Sequence, residues 1–116
     1  MLVFLPTPIG NLEDMSLRAL RALNECDMIL CEDTRVTSNL LLLLQKRALL
    51  QKRHVPILSV HAHNEESFVQ NLTPEFFAQN VVYMSDAGLP CVSDPGATLV
   101  RYAQQNDIAY TVLPGA

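Results

Sequence analysis

Five short apolar runs, LVFL (2–5), MILC (28–31), PILSV (56–60), VVYM (81–84) and IAYTVL (108–113), are separated by segments whose apolar residues recur at spacings of three and four. Runs of this length suit a buried strand and are too short for a helix. Being apolar on both faces, they leave no side of the strand for water. Their alternation with helical segments points to an α/β fold, a five-stranded, mainly parallel sheet with helices on both faces. In such folds ligands bind outside the carboxyl ends of the strands, where the strand order reverses.

The intervening segments read as four helices. Ser16 is a capping residue for LRALRALNEC, which sets Leu17, Leu20 and Leu23, with Ala22, on one face. Thr34 or Thr37 opens a second helix, leucine-rich through Leu44. NEESFVQNLTPEFFAQ supplies a third, broken or kinked at Pro74, and ATLVRYAQQN a fourth. With 116 residues and 49% hydrophobic content the chain can build one core. MLVFLP has no basic region before it and no small-residue cleavage site after it, and no run reaches the ~18 apolar residues of a membrane span, so the expected location is cytoplasmic. Cys26, Cys31 and Cys91 are odd in number and lack CxxC spacing, which reads as buried thiols, neither a disulfide framework nor a zinc site.

Every chemistry-bearing motif follows a strand: PTPIGN the first, CEDTR the second, HAHNEE the third, SDAGLPCVSDPG the fourth, and PGA the fifth. The loop from Ser85 to Gly96 is longer and denser in glycine, proline and carboxylate than a plain turn requires. Gly10 and Gly88 permit close backbone approach to a ligand, yet neither GxGxxG nor GxxxxGK[ST] is present, which leaves dinucleotide and Walker-type sites poorly supported. Asp86 and Asp94 can accept from an amine or ribose, bind a metal, or close their own loop as Asx-turns. His61, His63 and Glu65 can mimic a metal cluster if the segment is extended, or serve as hydrogen-bonded structure. Arg35 can pair with Asp33 or with a phosphate.

In order and spacing, TPIGNLED, LRALRAL, CEDTR, HAHNE and SDAGLPCVSDPG resemble the tetrapyrrole methylase superfamily, and within it the ribosomal RNA small subunit methyltransferase branch. Ala62, Leu89 and Cys91 depart from that branch, which commonly has Glu, Thr and Gly there. The resemblance implies transfer of a methyl group from S-adenosylmethionine to the ribose 2′-oxygen of a cytidine in the small ribosomal subunit. It also implies a homodimer that engages neither DNA nor membrane. Residues 1–116 then form the N-terminal domain, with a C-terminal domain outside this chain and the donor in the cleft between the two. Carried over position by position, the donor site takes Pro8 and Gly10 from the first loop and Ser85, Asp86, Ala87, Gly88, Val92 and Ser93 from the fourth. Leu113, Pro114 and Gly115 approach from the fifth strand. A ribose hydroxyl is a weak nucleophile, and Asp33, His63 and Glu65 are the candidates for a general base.

Three rival readings stand beside this one: a corrin or porphyrin methylase, a metal-dependent phosphohydrolase using Asp86, Asp94 and the histidines, and a non-catalytic interaction domain. The first usually carries a GxGxG-like first loop and a GDP-type fourth loop, both missing here. The net charge of −4 opposes phosphate binding by the chain as a whole. Four of its eight basic residues, Lys46, Arg47, Lys52 and Arg53, nevertheless fall in one duplicated LLQKR segment. That segment is either a local phosphate-contacting patch or a solvated helix end.

Overall fold

The computed structural model describes residues 1–6, 12, 15–51, 54–85 and 96–113. Strands β1 (Leu2–Pro6), β2 (Met28–Cys31), β3 (Ile57–Ser59), β4 (Val81–Ser85) and β5 (Tyr110–Val112) form one sheet in the order β3-β2-β4-β1-β5. Each pairing is parallel. β4 is buried along its whole length, as expected of a strand apolar on both sides.

Side chains alternate between two cores. Leu5, Ile29, Cys31, Val82 and Met84 point to one face, where they meet Ala19 and Leu23 of α1 (Leu17–Glu25) and Leu40 and Leu44 of α2 (Thr34–Lys46). Leu2, Phe4, Leu30, Val81 and Tyr83 point to the other, against Phe77 of a 3-10 segment (Pro74–Ala78) and Leu99 and Ala103 of α4 (Gly96–Gln105). The partly buried Phe68 of α3 (Glu65–Gln70) packs on this second core. The division follows from topology. From β1 through β2 to β3 the chain moves toward one edge of the sheet, then reverses toward β4 and β5, and crossovers of constant hand must then change face.

Local chemistry sets the boundaries. Ser16 caps α1, its Oγ accepting from the Ala19 N–H at 3.0 Å. α2 begins at Thr34, but the cap is Asp33, whose carboxylate accepts from the Arg35 N–H at 2.9 Å. At its other end Ala48 has φ 59, with the Ala48 N–H bonded to the Gln45 carbonyl at 3.0 Å and the Leu49 N–H to the Leu44 carbonyl at 2.9 Å. This is a Schellman termination, built on alanine where glycine is usual. Cys26 and Cys31 are buried as thiols, and Cys91 lies outside the described residues.

Two expectations require correction. Leu17 is 80% exposed, whereas Leu23 is buried with Ala19 and Cys26, and Leu20 and Ala22 pack partly buried against the same core. Leu17 sits about 120° around the helix from Leu23, whereas Ala19 and Leu23 are one turn apart. The third helical segment is two pieces, because Thr73 is extended (φ −119, ψ 153) ahead of Pro74, whose ring disfavours helical backbone in the preceding residue.

Candidate functional site

At the centre of the carboxyl edge β1 and β4 end side by side, with Pro6 in register with Ser85. The helix after β1 lies on one face of the sheet and the helix after β4 on the other. Helices that follow neighbouring strands on opposite faces mark the switch point of the sheet, outside which open α/β folds have their ligand-binding crevice. Ser85 closes β4 at 2% exposure. Leu113 follows β5 at 4% exposure, its N–H donating to the Phe4 carbonyl at 2.9 Å, and its side chain packs in the core that holds Leu5 and Met84. Pro8, Gly10, Asp86, Ala87, Gly88, Val92, Ser93, Pro114 and Gly115, and with them Asp94, lie outside the described residues.

The neighbouring strand ends, β2 and β3, carry the candidate bases. Asp33 is committed twice, capping α2 and pairing with the Arg35 guanidinium at 3.4 Å. Hydrogen bonds from the Arg35 side chain and then its backbone hold the Asp33 carboxyl below the usual aspartate range. A group whose acidity is raised in the folded state stabilises the fold above its unfolded pKa, and that contribution disappears as pH falls through the folded value. Asp33→Asn, which keeps a capping oxygen but cannot ionise, is therefore expected to be less stable than wild type at pH 7. The difference should shrink as pH drops below about 3.9. Urea denaturation of both proteins at pH 7 and pH 3 checks this, and a gap that widens on acidification contradicts it.

His61 and His63 do not lie on an extended segment. Residues 62–64 form a turn, in which the His63 N–H donates to His61 Nδ1 at 3.1 Å and the two rings meet edge to face at 5.8 Å. The turn is organised by Asn64, which sequence reasoning did not single out. Its Oδ1 accepts from the His61 N–H at 2.7 Å and its Nδ2 donates to the Ser59 carbonyl at 2.9 Å. An asparagine ahead of Glu65 and Glu66 has the pattern of a helix cap, yet its side chain reaches back toward β3. Ser59 Oγ in turn donates to the Glu32 carbonyl at 2.7 Å, fastening the β3 end to the β2 turn. Glu65 accepts from Thr98 Oγ1 at 3.3 Å, which ties the histidine turn to the first turn of α4, the helix entered from the long loop. Among the described residues no three His, Cys, Asp or Glu side chains come together as a metal-holding group.

A groove of about 240 Å³ lies on the face that α1 covers and reaches Leu113 at the rim. Its floor includes Val3, Val82 and Thr111, and its wall Arg18 and Arg21. Arg18, Arg21, Glu25 and Asn80 give it polar groups, but it runs beside strand bodies, and open α/β sheets bind ligands at the carboxyl ends of their strands, so the rim is the better candidate site. No described helix is long and apolar enough to cross a membrane.

Residues 1–116 match the family model for tetrapyrrole (corrin/porphyrin) methylases. A Campylobacter fetus protein named ribosomal RNA small subunit methyltransferase I is 50% identical, covering 100% of this chain and 43% of its own length. A protein of the same name from Helicobacter pylori is 46% identical with the same coverage. The chain thus spans less than half the length of these curated relatives. Among solved structures, uroporphyrin III C-methyltransferase from Thermus thermophilus superposes with a TM-score of 0.67 at 20% identity, over 99% of this chain and 48% of that one. Identity at that level speaks to fold alone.

Proposed function

The chain belongs to the tetrapyrrole (corrin/porphyrin) methylase family, and from that premise we propose that it is the donor-binding half of an S-adenosylmethionine-dependent methyltransferase acting on small-subunit ribosomal RNA, at the 2′-oxygen of a cytidine ribose. The observation that carries the reading is identity of 46–50% along the whole chain to proteins named for that RNA. The alternative, a tetrapyrrole substrate, has behind it the description of the family model and a fold likeness at 20% identity. A cytoplasmic enzyme working as a pair of copies accompanies the reading.

The crevice at the β1 and β4 ends suits the donor, because it stands at the switch point of the sheet with an apolar bed of Leu5, Met84 and Leu113 beneath. Ser85 and Leu113 would hold it from the described part, with Pro8, Gly10, Asp86, Ala87, Gly88, Val92, Ser93, Pro114 and Gly115 from the adjoining loops. When bound, S-adenosylmethionine supplies a methyl group already activated on a sulfonium, which leaves alignment as the main task of the protein. For the ribose proton, Asp33 is a poor base, since the Arg35 contacts lower its proton affinity. His63 and Glu65 flank the rim from the adjacent turn, with Glu65 anchored by Thr98.

Calorimetry of the full-length protein with S-adenosylmethionine, followed by transfer of labelled methyl to small ribosomal subunits or to a porphyrinogen, tests the reading. Label on RNA supports it. Label on the porphyrinogen alone moves the chain to the other branch, and a thermal shift with divalent metal but none with the donor favours phosphohydrolysis. The 116-residue chain by itself is expected to fold, since it has both cores, but not to transfer methyl, because the donor cleft needs a second wall. Methyl transfer by this chain alone contradicts the two-domain cleft.

A further inference from the structure

Resting on the reading as an RNA-modifying enzyme, we propose that the outward face of α2 is an RNA-contacting surface whose phosphate anchors include Lys46 and Arg47. The helix buries Thr37, Leu40 and Leu44 and presents Arg35, Val36, Asn39, Leu42, Leu43 and Lys46 to solvent, with Arg47 exposed at its cap. None of the 12 acidic residues of the chain falls between Thr34 and Gln51. Arg35 pairs with Asp33, whereas Lys46 and Arg47, both exposed, pair with no carboxylate among the described residues. Lys52 and Arg53 follow in sequence and lie outside the described residues.

A solvated helix end accounts for Lys46, which complements the carbonyl dipole of the last turn. It does not account for the absence of carboxylate along the whole face, nor for Leu42 and Leu43, which are 54% and 47% exposed between the basic ends. Exposed cations beside exposed apolar groups suit a polyanion that also offers sugar and base surfaces. In a chain of net charge −4 such attraction has to be local. Position agrees with this. α2 starts at the rim and runs back beneath the sheet for 13 residues, about 20 Å, so its face leads from the candidate site to the opposite edge. An RNA with its target ribose at the rim and flanking phosphates near Lys46 and Arg47 would lie along it.

The test is the double reversal K46E/R47E in the full-length protein, with a small-subunit RNA fragment titrated between 0.05 and 0.5 M salt (roughly the range over which phosphate contacts dominate). Loss of two phosphate contacts should lower the slope of log K against log salt by about 1.4–1.8, which corresponds to roughly 25- to 60-fold weaker binding at 0.1 M salt relative to 1 M. Donor affinity should not change, and the melting temperature should fall by no more than several degrees, the cost of acidic residues at the end of α2. If the reversal impairs folding, the neutral pair K46Q/R47Q should give a smaller slope change of the same sign. A wild-type slope in a variant that methylates its subunit normally overturns the surface and leaves the functional reading standing. Loss of self-association or of a protein partner with RNA affinity intact also overturns it. A wild-type protein that binds donor but no RNA brings down both.

Discussion

Replacing Phe4 with alanine is expected to lower the unfolding free energy by about 3–5 kcal/mol, a large part of what a domain of this size has. Phe4 is fully buried in the strand that separates β4 from β5, with ring centroids 5.8 Å from Tyr83 and 6.1 Å from Tyr110. Truncation removes the transfer energy of the ring, two tilted or edge-on aromatic contacts, and support for strands on both sides. Because neighbouring backbone is locked into parallel ladders, the void cannot collapse readily. Phe4→Leu, which keeps most of the volume, should cost far less. In urea, with a denaturant slope of about 1–3 kcal/mol per M, the alanine variant should unfold at least about 1 M earlier than wild type. A shift of a few tenths of a molar would mean that the centre of the sheet does not carry the fold.

The largest functional effect is expected at Gly88. In the full-length protein, Gly88→Val should reduce S-adenosylmethionine affinity by about two orders of magnitude, some 2.8 kcal/mol, with the melting temperature essentially unchanged. Gly88 stands three residues beyond Ser85, which closes β4 beside the β1 end at the crevice. A donor seated there needs backbone to come close, and a β-branched side chain both fills that space and stiffens the chain around it. Gly88→Ala should lie between the two. Calorimetry and thermal melts on the same samples separate loss of the site from loss of the fold, and an unchanged donor affinity removes Gly88 from the binding wall.

The layers of this fold are legible in its sequence because they depend on local pattern. MILC becomes β2 residue for residue, VVYM becomes β4 with Ser85 added, and the Ser16 hydroxyl caps the helix it precedes. Strand order is not legible in the same way. Period-two alternation tells which face a side chain takes and nothing about which strand lies alongside, and β1 pairs with β4 and β5 only because the crossovers reverse. Side-chain commitments were harder still. Asp33, a carboxylate in the CEDTR motif, serves as a helix cap and partner of Arg35, and the two histidines fold into a turn that Asn64 fixes from outside the pattern. These are contacts between short polar groups in irregular backbone, for which no periodicity exists.

The placement of β1 also bears on how the chain comes to be folded during synthesis. Its partners in the sheet begin at Val81 and Tyr110, so of the five described strands the one made first has the neighbours made last. At about 5–20 residues per second, LVFL waits roughly 4–16 seconds before β4 exists to receive it. During that interval an apolar segment with two unpaired backbone edges is available to any other strand, including that of a neighbouring nascent chain. Selection on LVFL therefore acts on two states at once, since the side chains that fix the middle of the finished sheet also set how strongly the unfinished one holds to whatever shields it on the ribosome.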